Sequence, residues 1–480
     1  VWSSALIYLC LGAGLFYSIL TRFVQVRLFR EMIRLITSSK ESDRGISSFQ
    51  ALAVSLSGRV GTGNIAGVAA AIGFGGPGAV FWMWVVAFLG SATAYVESAL
   101  GQIYKEVDDG QYRGGPAYYI EKALGQKWYA WIFAIVTIFA CGVLLPGVQS
   151  NSIANAANLA FGGETMVPFM GEPVALAKLI TGGVVVAVLG FIIFGGVKRI
   201  AHVTQVIVPI MALGYILMAV GIILSHIKEL PAILSLIVSD AFSPMAGVGA
   251  AIGWGVKRGV YSNEAGQGSG PHAAAASEVQ HPAQQGLVQS FSVYIDTLFV
   301  CSATAFMILI TQQYYVTGLD AAVSGGVLGT NVIIASPAFT QLALESVMGG
   351  FGKMFVAVAL FFFAFTTLLA YYYIAETNVA YIRRTLHTPG LLKLLKIVTL
   401  VSVFYGTIRQ ASLAWAMGDL GVGLMAWLTI LGILALFFMG RPALRALKDY
   451  EEQRKAGVEK YTFDPRKLGI KNADFWESER

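Results

Sequence analysis

The sequence predicts an all-α polytopic membrane protein with eleven spanning helices, on two observations. Of its 480 residues, 56% are hydrophobic and only 12% charged, and the mean hydropathy is +0.67. Soluble domains carry about 25% charged residues, and lipid-facing helices cannot hold charge cheaply. Apolar stretches of spanning length also recur along the whole chain, where about 20 residues suffice to cross the hydrocarbon core. The 54 glycines agree, since glycine is commoner in membrane helices than in soluble ones.

The stretches fall at about 4–29, 47–73, 78–104, 129–160, 175–197, 203–225, 245–266, 286–312, 350–382, 391–411 and 418–440. Residues 5–20 are apolar with no small-residue cleavage site after them, so the first stretch reads as an anchor helix and not a signal peptide. Setting it aside as an extra N-terminal helix (4–29) leaves five helices over 47–225 and five over 245–440, followed by a tail over 441–480. The second stretch contains "SGRVGTGNIAG" and the seventh contains "GVGAAIGWGVKRGVYSNEAGQGSG". Each opens one group of five. Interrupted helices at corresponding positions of two inverted repeats point to a transporter's binding site. Unwinding exposes backbone N–H and C=O groups that must be satisfied by protein, water or ligand. Half-helix N-termini favour an anionic carboxylate, and freed carbonyls suit a small hard cation, so a zwitterionic cargo fits. The competing reading is that the glycines only allow close helix packing.

Basic residues alternate between connections. Arg27, Arg30, Arg34, Lys40 and Arg44 follow the first stretch, Arg113, Lys122 and Lys127 the third, Lys198 and Arg199 the fifth, and Arg383, Arg384, Lys393 and Lys396 the ninth. The intervening "FGGETMVPFMGEP" and "YYVTGLDAAVSGGVLGTNVIIASP" carry none. The positive-inside rule then sets the N-terminus outside and the C-terminus in the cytoplasm of a bacterial or archaeal inner membrane. The formal charge of +6 is thereby explained by orientation, with lipid and not nucleic acid as the surrounding partner. The tail, as in "RALKDYEEQRKAGVEK", reads as solvated, with a short amphipathic helix as the alternative and no chemistry assigned. Cys10, Cys141 and Cys301 lie in apolar runs and read as buried hydrophobes.

"GTGNIAGVAAAIGFGGPGAVFWMW" and "WGVKRGVYSNEAGQGSGPHAAAASE" resemble the signatures of the alanine or glycine:cation symporters, and the likeness runs over nearly the whole chain. The resemblance implies the LeuT-type fold, ten core helices in two inverted repeats plus one. It also implies uptake of alanine and glycine coupled to sodium, or in some members to protons. A monomer is the expected unit. By the same resemblance the amides of Thr62 and Gly63 meet the substrate carboxylate, and the Thr62 hydroxyl and the Asn64 amide add polar contacts. An asparagine matching Asn64 ligates a further cation in sodium-coupled relatives. Thr366 and Thr367, in mid-span of "FFFAFTTLLAYYY", resemble a sodium site whose other ligands are the carbonyls of Ser57, Val60 and Phe363, and Thr367 is counted with the substrate contacts as well. Five neutral oxygens suit a hard cation. Threonines bonded back to their own helical turn are the plainer alternative.

The remaining candidates rest on position. Trp254, between Gly253 and Gly255, is expected to wall a small pocket at the second break, with interfacial anchoring as the alternative. Gln149 and Ile153 lie one turn apart and face one side of their helix, Gln149 offering its amide to the substrate. Arg59 is expected to pair with an acid at depth. Glu97, Glu264, Asp296 and Glu376 read as pairing and gating groups, Glu264 with Arg258 or Lys257. Enzyme readings fail on the residues themselves. "GRVGTGNI" has the glycine spacing of a phosphate loop, but Asn64 and Ile65 replace its Lys and Ser/Thr, and His202, His226, His272, His281 and His387 are scattered. A channel, in which the polar breaks line a continuous path, is the rival from another class.

Overall fold

The computed structural model describes residues 1–37, 45–162, 165–242, 248–320, 325–334 and 336–478. Lys40 and Arg44, positions 163–164 and 321–324, position 335 and the start of the seventh stretch (245–247) lie outside the described residues. Among the described residues eight helices are long and apolar enough to cross a membrane: Ala79–Ile103, Lys127–Phe161, Leu176–Ile193, Lys198–Ser225, Pro282–Ile310, Gly350–Leu386, Leu391–Ile408 and Ala411–Phe438. Each coincides with an expected stretch. Gly350–Leu386 has 37 residues, about 55 Å at 1.5 Å per residue, and outreaches a hydrocarbon core of about 30 Å.

The other three expected stretches are shorter helices for local reasons. The first stops at Leu20 and not near 29, because Arg22 and Phe23 both take left-handed backbone (φ 53 for each). A separate helix, Phe29–Thr37, follows the turn. The second is cut into Ser48–Arg59 and the π-turn and helix spanning Gly63–Gly75. Its start is fixed by a capping box in which Gln50 N donates to Ser47 Oγ (3.1 Å) and Ser47 N to Gln50 Oε1 (2.9 Å). The seventh runs unbroken over Val248–Asn263 and resumes as Gly270–Ala276. Its interruption therefore lies at residues 264–269 and not around Trp254. Glu264, Gly266 and Gly268 have φ of +57, +81 and +79, a left-handed run that no α-helix continues through.

The halves Ser48–Arg59 and Gly270–Ala276 of the two broken helices are stitched together by backbone. Ile46 N donates to Ala276 O at 3.1 Å, and Glu278 N donates to Ile46 O at 3.0 Å. Beside them the tail is ordered and not solvated. Pro442–Lys455 is a helix that buries Ala443, Ala446, Leu447 and Tyr450, and Glu451 takes salt bridges from Arg22 (3.1 Å) and Arg27 (2.7 Å). Further on, Trp476 Nε1 donates to Gln102 O at 2.9 Å. Lys105 Nζ lies 4.4 Å from the centres of the Tyr112 and Phe475 rings and donates to Ser277 O at 3.0 Å. Apolar residues spaced between charges (Tyr461, Phe463, Ile470, Ala473, Trp476) make this packing, a pattern hidden by the mixed charge of the segment. Trp476→Ala is expected to cost about 3 kcal/mol of tail packing and to open residues 456–478 to trypsin in limited proteolysis. An unchanged digestion pattern would mean the tail is held by other contacts.

Candidate binding site at the paired helix breaks

The first break is built by Val60 to Asn64. Val60 (φ −80, ψ 84) leaves helical geometry directly after Arg59. Gly61 N donates to Asn64 Oδ1 at 2.8 Å, so the asparagine closes the turn with its own side chain. Only glycine fits at 61, because a Cβ there would overlap Thr367 Oγ1 and stand 3.0 Å from Gln149 Oε1. The scaffold helix Gly350–Leu386 and the Lys127–Phe161 span thus both reach the break at one point. Gln149 Oε1 accepts from Thr62 N at 3.0 Å. The Thr62 hydroxyl is buried with no partner among the described residues, an unsatisfied group of the kind a polar ligand would complete. Gly61→Ala is expected to reduce uptake at least tenfold while leaving the protein in the membrane fraction. Near-normal uptake by that variant would show that the close approach is dispensable.

The oxygens expected for a cation form one connected chain. Thr367 Oγ1 donates to Ser57 O (2.7 Å) across the helix interface and lies 3.0 Å from Phe363 O on its own helix. Thr366 Oγ1 is 3.0 Å from the same Phe363 O and 2.9 Å from Phe362 O. Four of the five expected groups, Ser57, Phe363, Thr366 and Thr367, therefore converge, and Val60 is the first non-helical residue beside them. Both threonines also bond back to their own turn, so the two readings of "TT" coexist. Neutral oxygens on two different helices are a donor set that a hard cation fits.

The second break faces the first. A Cβ on Gly63 would lie 3.0 Å from Ser262 Cα. Ser262 Oγ donates to Asp296 Oδ1 (3.1 Å), which also accepts from Asn64 Nδ2 at 2.6 Å. Glu97 receives the backbone of the break, from Gly266 N at 3.2 Å and Gly268 N at 3.0 Å. Arg59, fully buried, donates to Gln289 O at 2.9 Å and to Ser292 Oγ, and among the described residues it makes no direct ion pair. Glu97, Glu264 and Asp296 are the charges acting on it.

Three expectations are corrected. Trp254 stands ten residues before the break, about 15 Å along its helix, and stacks on Phe74 with ring centres 4.5 Å apart. It lies off the break, with the Arg258 guanidinium 5.3 Å from the centre of its ring. Ile153 is buried one turn from Gln149 but lines an apolar groove with Ala157, Thr181 and Phe361, away from the break. Glu264 pairs with neither Arg258 nor Lys257. Its left-handed backbone turns the carboxylate towards Ser269, whose Oγ donates at 2.8 Å. Arg258 instead makes two 3.0 Å contacts to Asp419, and Lys257 lies 2.6 Å from the same carboxylate. Glu376 does pair, with Arg113 at 3.6 Å.

Residues not singled out in the sequence complete the site. Tyr261 and Trp415 rings are 4.9 Å apart, and the Arg258 guanidinium lies 4.2 Å from the centre of Trp415. The Tyr261 hydroxyl faces Gln149. Asp419 was findable, as a lone acid inside the apolar run 411–438. Tyr261 and Trp415 look like ordinary membrane aromatics until the break is placed.

Two helices broken opposite each other, braced by a long helix that reaches into one break, are an arrangement of the LeuT-type fold. The chain superposes on the crystal structure of MhsT in complex with L-phenylalanine with a TM-score of 0.53 and 15% identity, covering 83% of this chain and 99% of that one, a likeness of fold alone. The chain belongs to the sodium:alanine symporter family, whose family model matches residues 1–465. It is 58% identical to the putative sodium/proton-dependent alanine carrier protein YrbD of Bacillus subtilis (strain 168), over 100% of this chain and 96% of that protein. It is 49% identical to the sodium/proton-dependent alanine carrier protein of Bacillus sp. (strain PS3), over 93% and 97%. The family is one of transporters and not of enzymes.

Proposed function

We infer that this chain is a secondary-active symporter that moves alanine, and glycine with it, inward with sodium by alternating access. The observation that carries the reading is the Thr367 hydroxyl, which joins the Ser57 carbonyl of the broken helix to the Phe363 carbonyl of the scaffold helix. Sodium at Ser57, Val60, Phe363, Thr366 and Thr367 pulls the two helices together and orders the adjacent break. The substrate carboxylate takes the amides of Thr62 and Gly63, displacing Gln149 Oε1 from Thr62 N, and the Thr62 hydroxyl and Asn64 lie beside it. Gln149 and Thr367 then turn to the substrate's polar groups. The Tyr261 and Trp415 rings limit the side chain to a hydrogen or a methyl. Binding of each ligand raises affinity for the other, and the linkage is reciprocal.

The architecture proposed with this reading is an extra N-terminal helix over 4–29, repeats of five helices over 47–225 and 245–440, and a tail over 441–480. The N-terminus lies outside and the tail in the cytoplasm of an inner membrane, with a monomer as the working unit. A channel could not concentrate its cargo. Uptake of radiolabelled alanine and glycine into proteoliposomes under imposed gradients tests the reading. Accumulation above the outside concentration is expected with sodium directed inward and not in the absence of any gradient, and equilibration without accumulation would favour a pore.

A further inference from the structure

Four charged groups meet around the second break, and their charges do not balance. Arg59, Glu97, Glu264 and Asp296 are 1%, 0%, 2% and 0% exposed. One cation against three carboxylates leaves an excess of negative charge where solvent cannot screen it, and buried charges without partners are strongly unfavourable. The carboxylates are not equivalent. Glu97 accepts from the N–H groups of Gly266 and Gly268, and Asp296 from Asn64 Nδ2 (2.6 Å), Ser262 Oγ (3.1 Å) and Thr297 Oγ1 (2.7 Å). Backbone N–H groups only donate, so both Glu97 oxygens are held as acceptors, and Asn64 Nδ2 holds Asp296 Oδ1 in the same way, while Asp296 Oδ2 meets a hydroxyl. Glu264 is held by the hydroxyls of Ser269 (2.8 Å) and Tyr371. Hydroxyls can donate or accept, so its surroundings serve the charged and the protonated form alike.

Glu264 is also placed where its charge would be felt. It occupies the left-handed residue that begins the second break, and its Oε2 lies 3.1 Å from where a Gly58 Cβ would stand on the first broken helix. It lines a small cavity with Ser55, Gly58, Ser269, Ala370 and Tyr373, between the halves Ser48–Arg59 and Gly270–Ala276 of the broken helices and the scaffold helix. Ala370 lies one turn beyond Thr367. The titratable and charged groups facing it are Arg59 from the first broken helix, Glu97 from Ala79–Ile103, Asp296 from the span after the break, Tyr371 from the scaffold helix, Tyr261 from its own helix and Cys141 from Lys127–Phe161.

We propose that Glu264 is a proton-binding site whose proton travels inward with alanine. The inference rests on the symport reading above. An O–H bond forms on the Glu264 carboxylate with a proton taken from water on the outer side. The same bond breaks on the inner side, returning the proton to water, with no other atom or electron exchanged. Loss of the charge lets the two half-helices rearrange past Gly58, which ties the proton to the conformational step.

The test uses full-length protein in proteoliposomes with a pH-sensitive dye trapped inside, sodium on both sides and no initial pH gradient. Added alanine should acidify the interior. Glu264→Gln should cut that acidification at least tenfold while sodium-dependent alanine binding persists, and Glu264→Asp should keep it. Acidification by Glu264→Gln at the wild-type rate overturns the proposal, as does wild-type protein that accumulates alanine on sodium yet moves no protons. Should Glu264→Gln fail to fold, Glu264→Asp decides the matter through its pH profile of alanine uptake. A profile displaced from wild type supports the site, and an identical one overturns it. Wild-type protein that accumulates no alanine under any gradient would instead remove the symport reading, and this inference with it.

Discussion

Thr367→Ala is expected to raise the sodium concentration for half-maximal alanine uptake about tenfold or more, and Thr366→Ala by only a few-fold. Both hydroxyls approach the Phe363 carbonyl at 3.0 Å, but only Thr367 crosses to the broken helix, at 2.7 Å from Ser57 O. Losing it removes a ligand and the hydroxyl contact that ties the Ser57 carbonyl to the scaffold helix. A hydrogen bond contributes about 0.5–1.5 kcal/mol, and about 1.4 kcal/mol is a factor of ten in affinity. Thr366 spends its other contact on Phe362 O within its own turn, so its loss deletes a ligand without releasing the helix. Sodium titrations of alanine uptake on both variants check the order. Equal effects, or a larger one for Thr366→Ala, would mean that the interhelical contact is not what sodium uses.

Asp419→Asn is expected to destabilise the protein by about 3 kcal/mol or more and to slow transport at least tenfold. One carboxylate takes both Arg258 contacts at 3.0 Å and Lys257 at 2.6 Å, while the Arg258 side chain is 2% exposed. The amide cannot neutralise either cation, and the penalty arises mostly from the buried arginine left without its counter-charge. The same arginine covers Trp415, beside Tyr261, so its displacement loosens the cover over the substrate space. Adding Arg258→Met to Asp419→Asn should recover part of the stability by deleting that stranded charge. Thermal unfolding of the single and double variants in detergent reads this directly. A double variant less stable than Asp419→Asn alone would show that Arg258 contributes mainly by packing.

Much of the fold was legible because its determinants are local. Apolar runs of spanning length place the eight long helices, and the glycines with Asn64 place the first break, since the side chain that closes the turn is five residues from where the helix ends. The second break was misplaced because its glycines begin well upstream. Gly253 and Gly255 sit in an intact helix, Gly255 where the backbone of Ala79 comes close, and it is the left-handed run from Glu264 to Gly268 that ends it. A helix tolerates glycine at about 1 kcal/mol each but cannot pass through left-handed backbone. That error carried Trp254 into the site and gave Glu264 the wrong partner. The partner chosen by Arg258, Asp419, lies 161 residues away and depends on how the last span packs, which no local pattern encodes. The tail's order has the same origin: its aromatic residues find partners in Gln102, at the end of the helix Ala79–Ile103, and in Lys105 and Tyr112 just beyond it, all more than 350 residues away in sequence.

We infer that sodium and alanine cross together because Thr367 joins the broken helix to the scaffold. Influx of radiosodium and labelled alanine, measured in the same proteoliposomes, tests it most directly. Alanine is expected to stimulate sodium influx in a fixed ratio to its own, and Thr367→Ala to reduce both fluxes together. Alanine that accumulates without any matching sodium influx would contradict it.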